Sequence, residues 1–433
     1  QGRDVNALMT AGQLINWGMP TLAAEMLNAL DCQRTLPLYL QASLLPKAER
    51  GELVTKAIDV FPQFVRFPNT LEEVAALESI EECWFARHLL ACFYYNKRSY
   101  NKAITLWQRC VEMSPEFADG WRGLAIHAWN KQHDYELAAR YLDNAYQLAP
   151  QDARLLFERD LLDKLSGATP EKRLARLENN LEIALKRDDM TAELLNLWHL
   201  TGQADKAADI LATRKFHPWE GGEGKITRQF ILNQLLRAWQ HLDAREPQQA
   251  SELLHAALHY PENLSEGRLP GQTDNDIWFW QAICANAQGD QTEAMRCLRL
   301  AATGDRTINI HSYYNDQPVD YLFWQGMALR LLGEQQTAQQ LFSEMKQWAQ
   351  EMAKTSIEAD FFAVSQPDLL SLYGDLQQQH NEKCLMVAML ASAGLGEVAH
   401  YESARAELTA INPAWPKAAL FTTVMPFIFN SVH

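Results

Sequence analysis

The chain has 433 residues, 47 % hydrophobic and 10 % aromatic, which is enough apolar surface to fold and too much for a disordered polymer. Its formal charge of -15 argues against a nucleic-acid groove or an anionic membrane surface, since both call for clustered Lys and Arg. No run reaches the roughly 18 unbroken apolar residues of a membrane helix, and seven scattered cysteines without CxxC or Cys/His spacing predict reduced, buried thiols in a cytoplasmic protein rather than a zinc site.

Residues 1–83 have helical patterning but poor repeat register. LINWGMPTLAAEMLNAL, residues 14–30, reads as a turn at Gly18 and Pro20 followed by a helix that packs through Ala23, Ala24 and Leu27. Pro62 and Pro68 block helix continuation, and a new helix starts at Leu71. This suits a degenerate helical cap, because a terminal repeat has one face without a neighbour. The chain opens on Gln1 rather than Met, which reads as a segment of a longer polypeptide.

Residues 84–150 carry the clearest signal, WFARHLLACFYYNKRSYNKAITLWQRCVEMSP followed by EFADGWRGLAIHAWNKQHDYELAARYLDNAYQLAP. With Trp84 as position one, Leu90, Ala91, Tyr94, Ala103, Trp107, Cys110 and Pro115 form a pattern of large, small, aromatic, small, aromatic, small and Pro. Trp121, Leu124, Ala125, Ala138, Leu142, Ala145 and Pro150 follow in a second copy, with one extra residue in its turn. Small residues let two antiparallel helices approach, and large ones fill the groove between successive pairs. The pattern resembles the tetratricopeptide (TPR) family, whose period is about 34 residues. The resemblance implies an all-α, TPR-like helical-hairpin solenoid, a right-handed superhelix whose first helices line a concave groove.

Beyond Pro150 the pattern decays and returns. Residues 151–190 are helical, with Gly167 and Pro170 at a joint and RLARLENNLEIAL read as one helix with an apolar stripe. Gly202 with Ala207, then Ala250, Leu254 and Ala257, then Gly289 with Ala294, Leu298 and Ala301, mark further copies. Gly326, Ala338 and Phe342 mark another, and Pro413 closes a looser last one. The organisation expected is a cap over 1–83, repeats over 84–213, a Gly/Trp inter-repeat loop over 214–230, and repeats with long loops and a C-terminal cap over 231–433. The apolar tail, residues 418–429, covers either the last repeat or a further domain.

Three segments break the repeat, and breaks are where function concentrates. In the first, RKFHPWEGGEGKITRQF, three glycines free the backbone around Trp219, with His217, Glu220 and Glu223 as polar reach. It reads as a contact loop or as a joint pinned by an aromatic. Its glycine spacing is not that of a nucleotide loop. The second, residues 264–276, reads as a solvated connection, with Asp274 and Asp276 as surface charge. The third, residues 302–321, sets Tyr313, Tyr314, Asp316 and Asp320 in one loop, a composition that suits a sugar or peptide, or a loop folded back on the solenoid.

No GxSxG, HExxH or P-loop is present, so the reading is of a non-enzymatic region without cofactor or metal. If the TPR resemblance holds, ligand-contacting positions fall on Phe85, His88, Cys92 and Tyr95, then Asp119, Arg122, Ile126 and Trp129, and later on Asp320, Phe323, Met327 and Arg330. An aromatic and basic floor of His88, Tyr95, Arg122 and Trp129 suits an extended acidic peptide. The family's Asn/Lys carboxylate clamp is not reproduced, which argues against chaperone-tail binding. FHPWEGGEGK, residues 216–225, resembles the C-terminal helical half of large bacterial proteins of the YphG type. That resemblance implies an N-terminal mutarotase-like β-sandwich as partner domain and a link to carbohydrate metabolism. The function expected is therefore a cytoplasmic interaction or interdomain scaffold binding a protein, its own N-terminal domain or a carbohydrate. The alternative is an all-α toroid acting on carbohydrate through loop carboxylates.

Overall fold

A computed structural model describes residues 2–30, 34–60, 66–80, 82–269, 271–308, 318–357 and 371–431. These are helical, with no strand among them, and the fold is all-α, built from tandem helical hairpins. Pro62 lies outside the described residues. The chain divides into two compact units, Gln1–Leu162 with Asp360–Tyr373, and Asp163–Ala359 with Gly374–His433.

The first unit contains α1 (Gly2–Asn16), α2 (Pro20–Ala29), α3 (Thr35–Ser43), α4 (Gly51–Asp59), α5 (Leu71–Glu78), α6 (Trp84–Asn96), α7 (Tyr100–Met113), α8 (Ala118–His127), α9 (Tyr135–Leu148) and most of α10 (Ala153–Leu165). Pro20 opens α2, where its missing N–H costs nothing. Thr70 and Glu73 close a capping box on α5. The strong sequence pair is α6/α7 and α8/α9. Ala103, Trp107, Cys110, Ala138, Leu142 and Ala145 are fully buried, as the ladder of small and large residues requires. At Gly123 a Cβ would sit 2.3 Å from the Trp107 ring, so α8 can cross α7 only with hydrogen there.

The second unit contains α11 (Pro170–Glu178), α12 (Leu181–Ala184), α13 (Asp188–Leu200), α14 (Ala204–Thr213), α15 (Lys225–Asp243), α16 (Pro247–Ala257), α17 (Asn275–Ala287), α18 (Gln291–Ala301), α19 (Asp320–Leu331), α20 (Gln335–Met352), α21 (Leu376–Gly394), α22 (Val398–Ile411) and α23 (Ala418–Ser431). The single helix expected over RLARLENNLEIAL is two, α11 and α12. Asn179 and Asn180 separate them, and the Asn180 amide donates to the Arg176 carbonyl, a local bond that competes with helix continuation.

First helices of successive pairs end alike. A left-handed residue is followed by a main-chain bond from Ser99 to Tyr94, Gln203 to Trp198, Glu246 to His241, Asp290 to Ala285, Glu334 to Leu329 and Glu397 to Ser392, the Schellman closure. Glycine takes the left-handed place at Gly202 and Gly289, whereas Arg98 and Arg245 take it at φ 60° and 62°. The exposed Arg245→Gly variant is expected to gain about 1 kcal/mol, because a left-handed L-residue costs ~1–2 kcal/mol and glycine's extra chain entropy takes part of that back. Gly289→Ala should lose a similar amount, and urea denaturation of the two variants checks both.

The second pair departs from this rule by one residue. The extra residue seen in its sequence is absorbed by a π-helical turn, Ala128–Gln132, so that the closing bond runs from Asp134 to Ala128.

The apolar tail packs on the last pair, where Phe429 meets Tyr401 at a ring separation of 5.3 Å, and reaches beyond it. It forms α23, which lies along the first helices of the second unit: Phe427 meets Trp239 and Trp280 at ring separations of 5.3 and 5.9 Å, and Phe421 meets Phe323 and Trp324 at 6.0 and 5.8 Å. Leu420, Phe421, Val424 and Ile428 are fully buried. Among the described residues no helix is long and apolar enough to cross a membrane, and Cys83, Cys92, Cys110, Cys284, Cys297 and Cys384 are buried free thiols.

Candidate binding site

The groove positions carried over from the repeat pattern are consumed by packing. His88 and Tyr95 are buried in the first unit; the His88 ring stacks on Phe85 and meets Phe117 edge-on, 5.0 Å between centroids. Burial lowers His88 to about 4, with Asp119 opposing and Arg122 and Arg154 assisting, so at neutral pH it brings no charge. Arg122 makes a two-pronged pair with Glu158 of α10, its Nε 2.9 and 2.7 Å from the two carboxylate oxygens, and Arg154 pairs with Asp119 at 2.6 Å. The open aromatic and basic floor expected here is thus not formed, because the next first helix covers it. Trp129 donates its Nε1–H to the Tyr373 carbonyl at 2.8 Å. In the second unit the equivalent positions meet α23 and its approach: Phe323 packs on Phe421, and Asp320 accepts from Lys417 Nζ at 2.6 Å.

The three segments that break the repeat converge instead. Pro218, Glu223, Gly224, Thr227 and Arg228 come from the first, Glu266, Gly267, Leu269 and residues 271–276 from the second, and Pro318, Asp320 and Tyr321 from the third; with Tyr260 and Lys417 they line a pocket of about 510 Å³ in the second unit. The pocket sits at the N-terminal ends of α15, α17 and α19.

Each wall is held by identifiable bonds. In the first loop Phe216 is buried and its N–H donates to the Asn263 carbonyl, 2.8 Å. Arg214 and the His217 N–H both bind Asp188, at 2.6 and 2.9 Å. Trp219 lies flat against Gly222, where a Cβ would fall 2.0 Å from the ring, and Lys225 sits 5.9 Å from the ring centroid. Glu266 accepts from the Gly224 N–H at 3.0 Å and from the Thr227 hydroxyl at 3.3 Å, placing a carboxylate at the positive end of α15.

The second loop is not a solvated connection, nor are its aspartates surface charge. Asp274 and Asp276 are 8 % and 9 % exposed. Arg268 pairs with Asp274 and packs over Tyr260. Burial raises the Asp274 carboxyl above its usual range, partly offset by Arg268. Lys417 Nζ bridges Asp276 of α17 and Asp320 of α19, at 2.8 and 2.6 Å. Burial alone would lower this ammonium; the two carboxylates outweigh it and hold it above its ordinary value.

The lining is acidic, with Glu223, Glu266, Asp274, Asp276 and Asp320 against Arg228 and Lys417. Asn275, 2 % exposed, spends its Nδ2 on the carbonyls of Ala301 and Thr303. Its Oδ1 and the Thr273 Oγ1 find no hydrogen-bond partner among the described residues. The carboxylates of the lining, not these buried atoms, favour a ligand that donates, either hydroxyls or ammonium groups.

Of the residues singled out in sequence, Glu223 and Asp320 line the pocket, His217 and Trp219 stabilise its first wall, and Glu220 is exposed beside them. Tyr313, Tyr314 and Asp316 lie outside the described residues. Lys417, Tyr260, Glu266 and Asn275 gave no signal, since they become neighbours only when four distant segments fold together. Among the described residues no group of three His, Cys, Asp or Glu is placed to hold a metal ion.

No family model matches the chain. Solved structures similar to it include the TPR protein YrrB, described as having an unusual peptide-binding site, 12 % identical, TM-score 0.28, covering 52 % of this chain and 89 % of that one. The Naa15/Naa10 complex bound to HypK-THB is 12 % identical with TM-score 0.36, covering 89 % of this chain and 61 % of that one. The APC/C hetero-tetramer Cut9–Hcn1 is 12 % identical with TM-score 0.29, covering 97 % of this chain and 74 % of that one. Likeness of this extent names neither ligand nor partner.

Proposed function

We propose that this chain is a non-catalytic, TPR-type interaction scaffold that engages its partner through the loop-built pocket of the second unit rather than through an open groove. The observation that carries this reading is the convergence of all three repeat-breaking segments on one pocket. Arg122 and Phe323 are already spent on α10 and α23 and Trp129 on the Tyr373 carbonyl, while the pocket keeps an acidic lining with Glu223 exposed at its mouth. Catalysis by paired carboxylates is disfavoured because Asp276 and Asp320 share Lys417 and Asp274 is tied to Arg268; a general acid and base need carboxyls free to exchange protons with substrate.

The resemblance of residues 216–225 to the helical half of YphG-type proteins makes the partner an N-terminal domain of the same cytoplasmic polypeptide, serving carbohydrate metabolism. Glu223→Lys reverses charge at the exposed mouth of the pocket, and Trp219→Ala removes its first wall's anchor. Supplied in trans with the upstream domain, both variants should bind about tenfold more weakly than the parent chain in calorimetry. Unaltered affinity with lowered thermal stability would reduce the first loop to a structural joint. A second reading, a sugar in the pocket itself, is favoured by the Tyr260 and Tyr321 rings beside acceptor carboxylates; titration with neutral mono- and oligosaccharides tests it directly.

A further inference from the structure

The π-helical turn of the second pair holds an arrangement that neither the repeat nor the pocket accounts for. Trp129 and Asn130 lie in that turn, and Ser371, Leu372 and Tyr373 belong to the same unit. The Asn130 Nδ2 donates to the Ser371 carbonyl at 2.8 Å, and its Oδ1 accepts from the Tyr373 N–H at 3.0 Å. Trp129 Nε1 donates to the Tyr373 carbonyl at 2.8 Å. A carbonyl only accepts and a main-chain N–H only donates, so the Ser371 carbonyl and the Tyr373 N–H fix which way the Asn130 amide faces, and the buried Tyr95 hydroxyl accepts from the same Nδ2 at 3.2 Å.

One group from each of three consecutive peptide units is therefore read, C=O, N–H and C=O, and none of these bonds depends on side-chain identity. Leu372 is the one side chain taken in, 7 % exposed, while Tyr373 is 40 % exposed. An amide that gives and receives at the two peptide groups flanking one residue is how proteins hold an extended segment, with main-chain bonds for affinity and one pocket for selectivity. The one-residue insertion matters here: π-turns are often found at functional sites, and the first pair, without the insertion, has Asn96 and Lys97 at the end of α6 and no such bonds among those described.

The geometry points to a main-chain clamp, built by Trp129 and Asn130 on the π-turn and occupied in cis by residues 371–373, which takes an extended segment of a partner protein with an apolar central residue once the cis segment is displaced. A tethered segment competes at an effective concentration on the order of millimolar, so a free peptide at micromolar concentration should not enter the parent chain.

The test uses the whole chain and a fluorescein-labelled synthetic peptide of residues 368–375, DLLSLYGD. Leu372→Asp ejects the cis segment, and this variant should bind the peptide at least about tenfold more tightly than the parent. Adding Asn130→Ala should lose about thirtyfold, as two hydrogen bonds of about 1 kcal/mol each go. A folded Leu372→Asp chain that does not bind, or binding indifferent to Asn130→Ala, overturns the clamp. Should Leu372→Asp fail to fold, Asn130→Ala alone decides: chymotryptic cleavage after Tyr373 should rise about thirtyfold by the same arithmetic, and unchanged cleavage overturns the proposal.

Discussion

Lys417→Met should lower the stability of the second unit by about 3–5 kcal/mol, the cost of leaving buried carboxylates without their cation. Lys417 is 19 % exposed at its side chain and bridges Asp276 and Asp320, themselves 12 % and 5 % exposed. Its removal leaves two negative charges facing each other at the ends of α17 and α19. The damage should spread, because Lys417 immediately precedes α23 and holds the start of that helix against the first helices. Methionine keeps the stem volume, so lost packing is not the cause. The triple variant Lys417→Met, Asp276→Asn, Asp320→Asn should recover most of the loss, since it removes the stranded charges along with the cation. Guanidinium denaturation of the single and triple variants decides. A single variant within 1 kcal/mol of the parent, roughly the worth of an exposed pair, would mean that Lys417 is only a surface partner.

Acidification should destabilise each unit through buried histidines, His88 and His127 in the first and His199 in the second, all lowered by burial. His88 in the first unit and His199 in the second are both lowered to about 4, in each case mainly by burial. His199 is also fixed as the neutral ring, donating from Nδ1 to Gln229 Oε1 at 2.9 Å and facing the Asn233 amide from Nε2 at 3.1 Å; Asn233 in turn donates to the Ala204 carbonyl at 2.7 Å. Between pH 6.5 and 4 the unfolded chain binds protons at these sites and the folded chain does not. Falling pH therefore favours unfolding across that window, and stability is highest above it. Each histidine's contribution is lost progressively across that window and the loss is complete only below it. His199→Gln keeps a donor and an acceptor without the proton equilibrium. It should flatten the acid limb for the second unit and leave that of the first unchanged. Denaturation midpoints measured at steps from pH 7 to pH 4 test this, and an unaltered slope would assign the acid loss to other groups.

Much of the architecture was legible because it rests on short-range rules. The small residues Ala103, Cys110, Ala138 and Ala145 and the large Trp107 and Leu142 sit where a helical hairpin needs them. Gly202 and Gly289 mark turns that an L-residue enters only under strain. The extra residue in the second turn was visible as a count, and its consequence, a π-turn presenting Asn130, was not. The carried-over groove positions misled for a stated reason: a repeat pattern tells which residues face the inner side of a solenoid and says nothing of what else the chain places there. Arg122 is paired with Glu158 of α10, Phe323 packs on Phe421 of α23, and His88 packs on Phe85 and Phe117.

Helix type, pairing and repeat register follow from spacings within about 34 residues, where periodicity and turn chemistry act. The pocket depends on separations of 97 residues between Asp320 and Lys417 and 141 between Asp276 and Lys417. The clamp depends on 244 between Trp129 and Tyr373. Local propensity carries no information over such distances; burial of the α23 apolar face and neutralisation of paired charges bring those groups together, and both terms exist only once the units have packed.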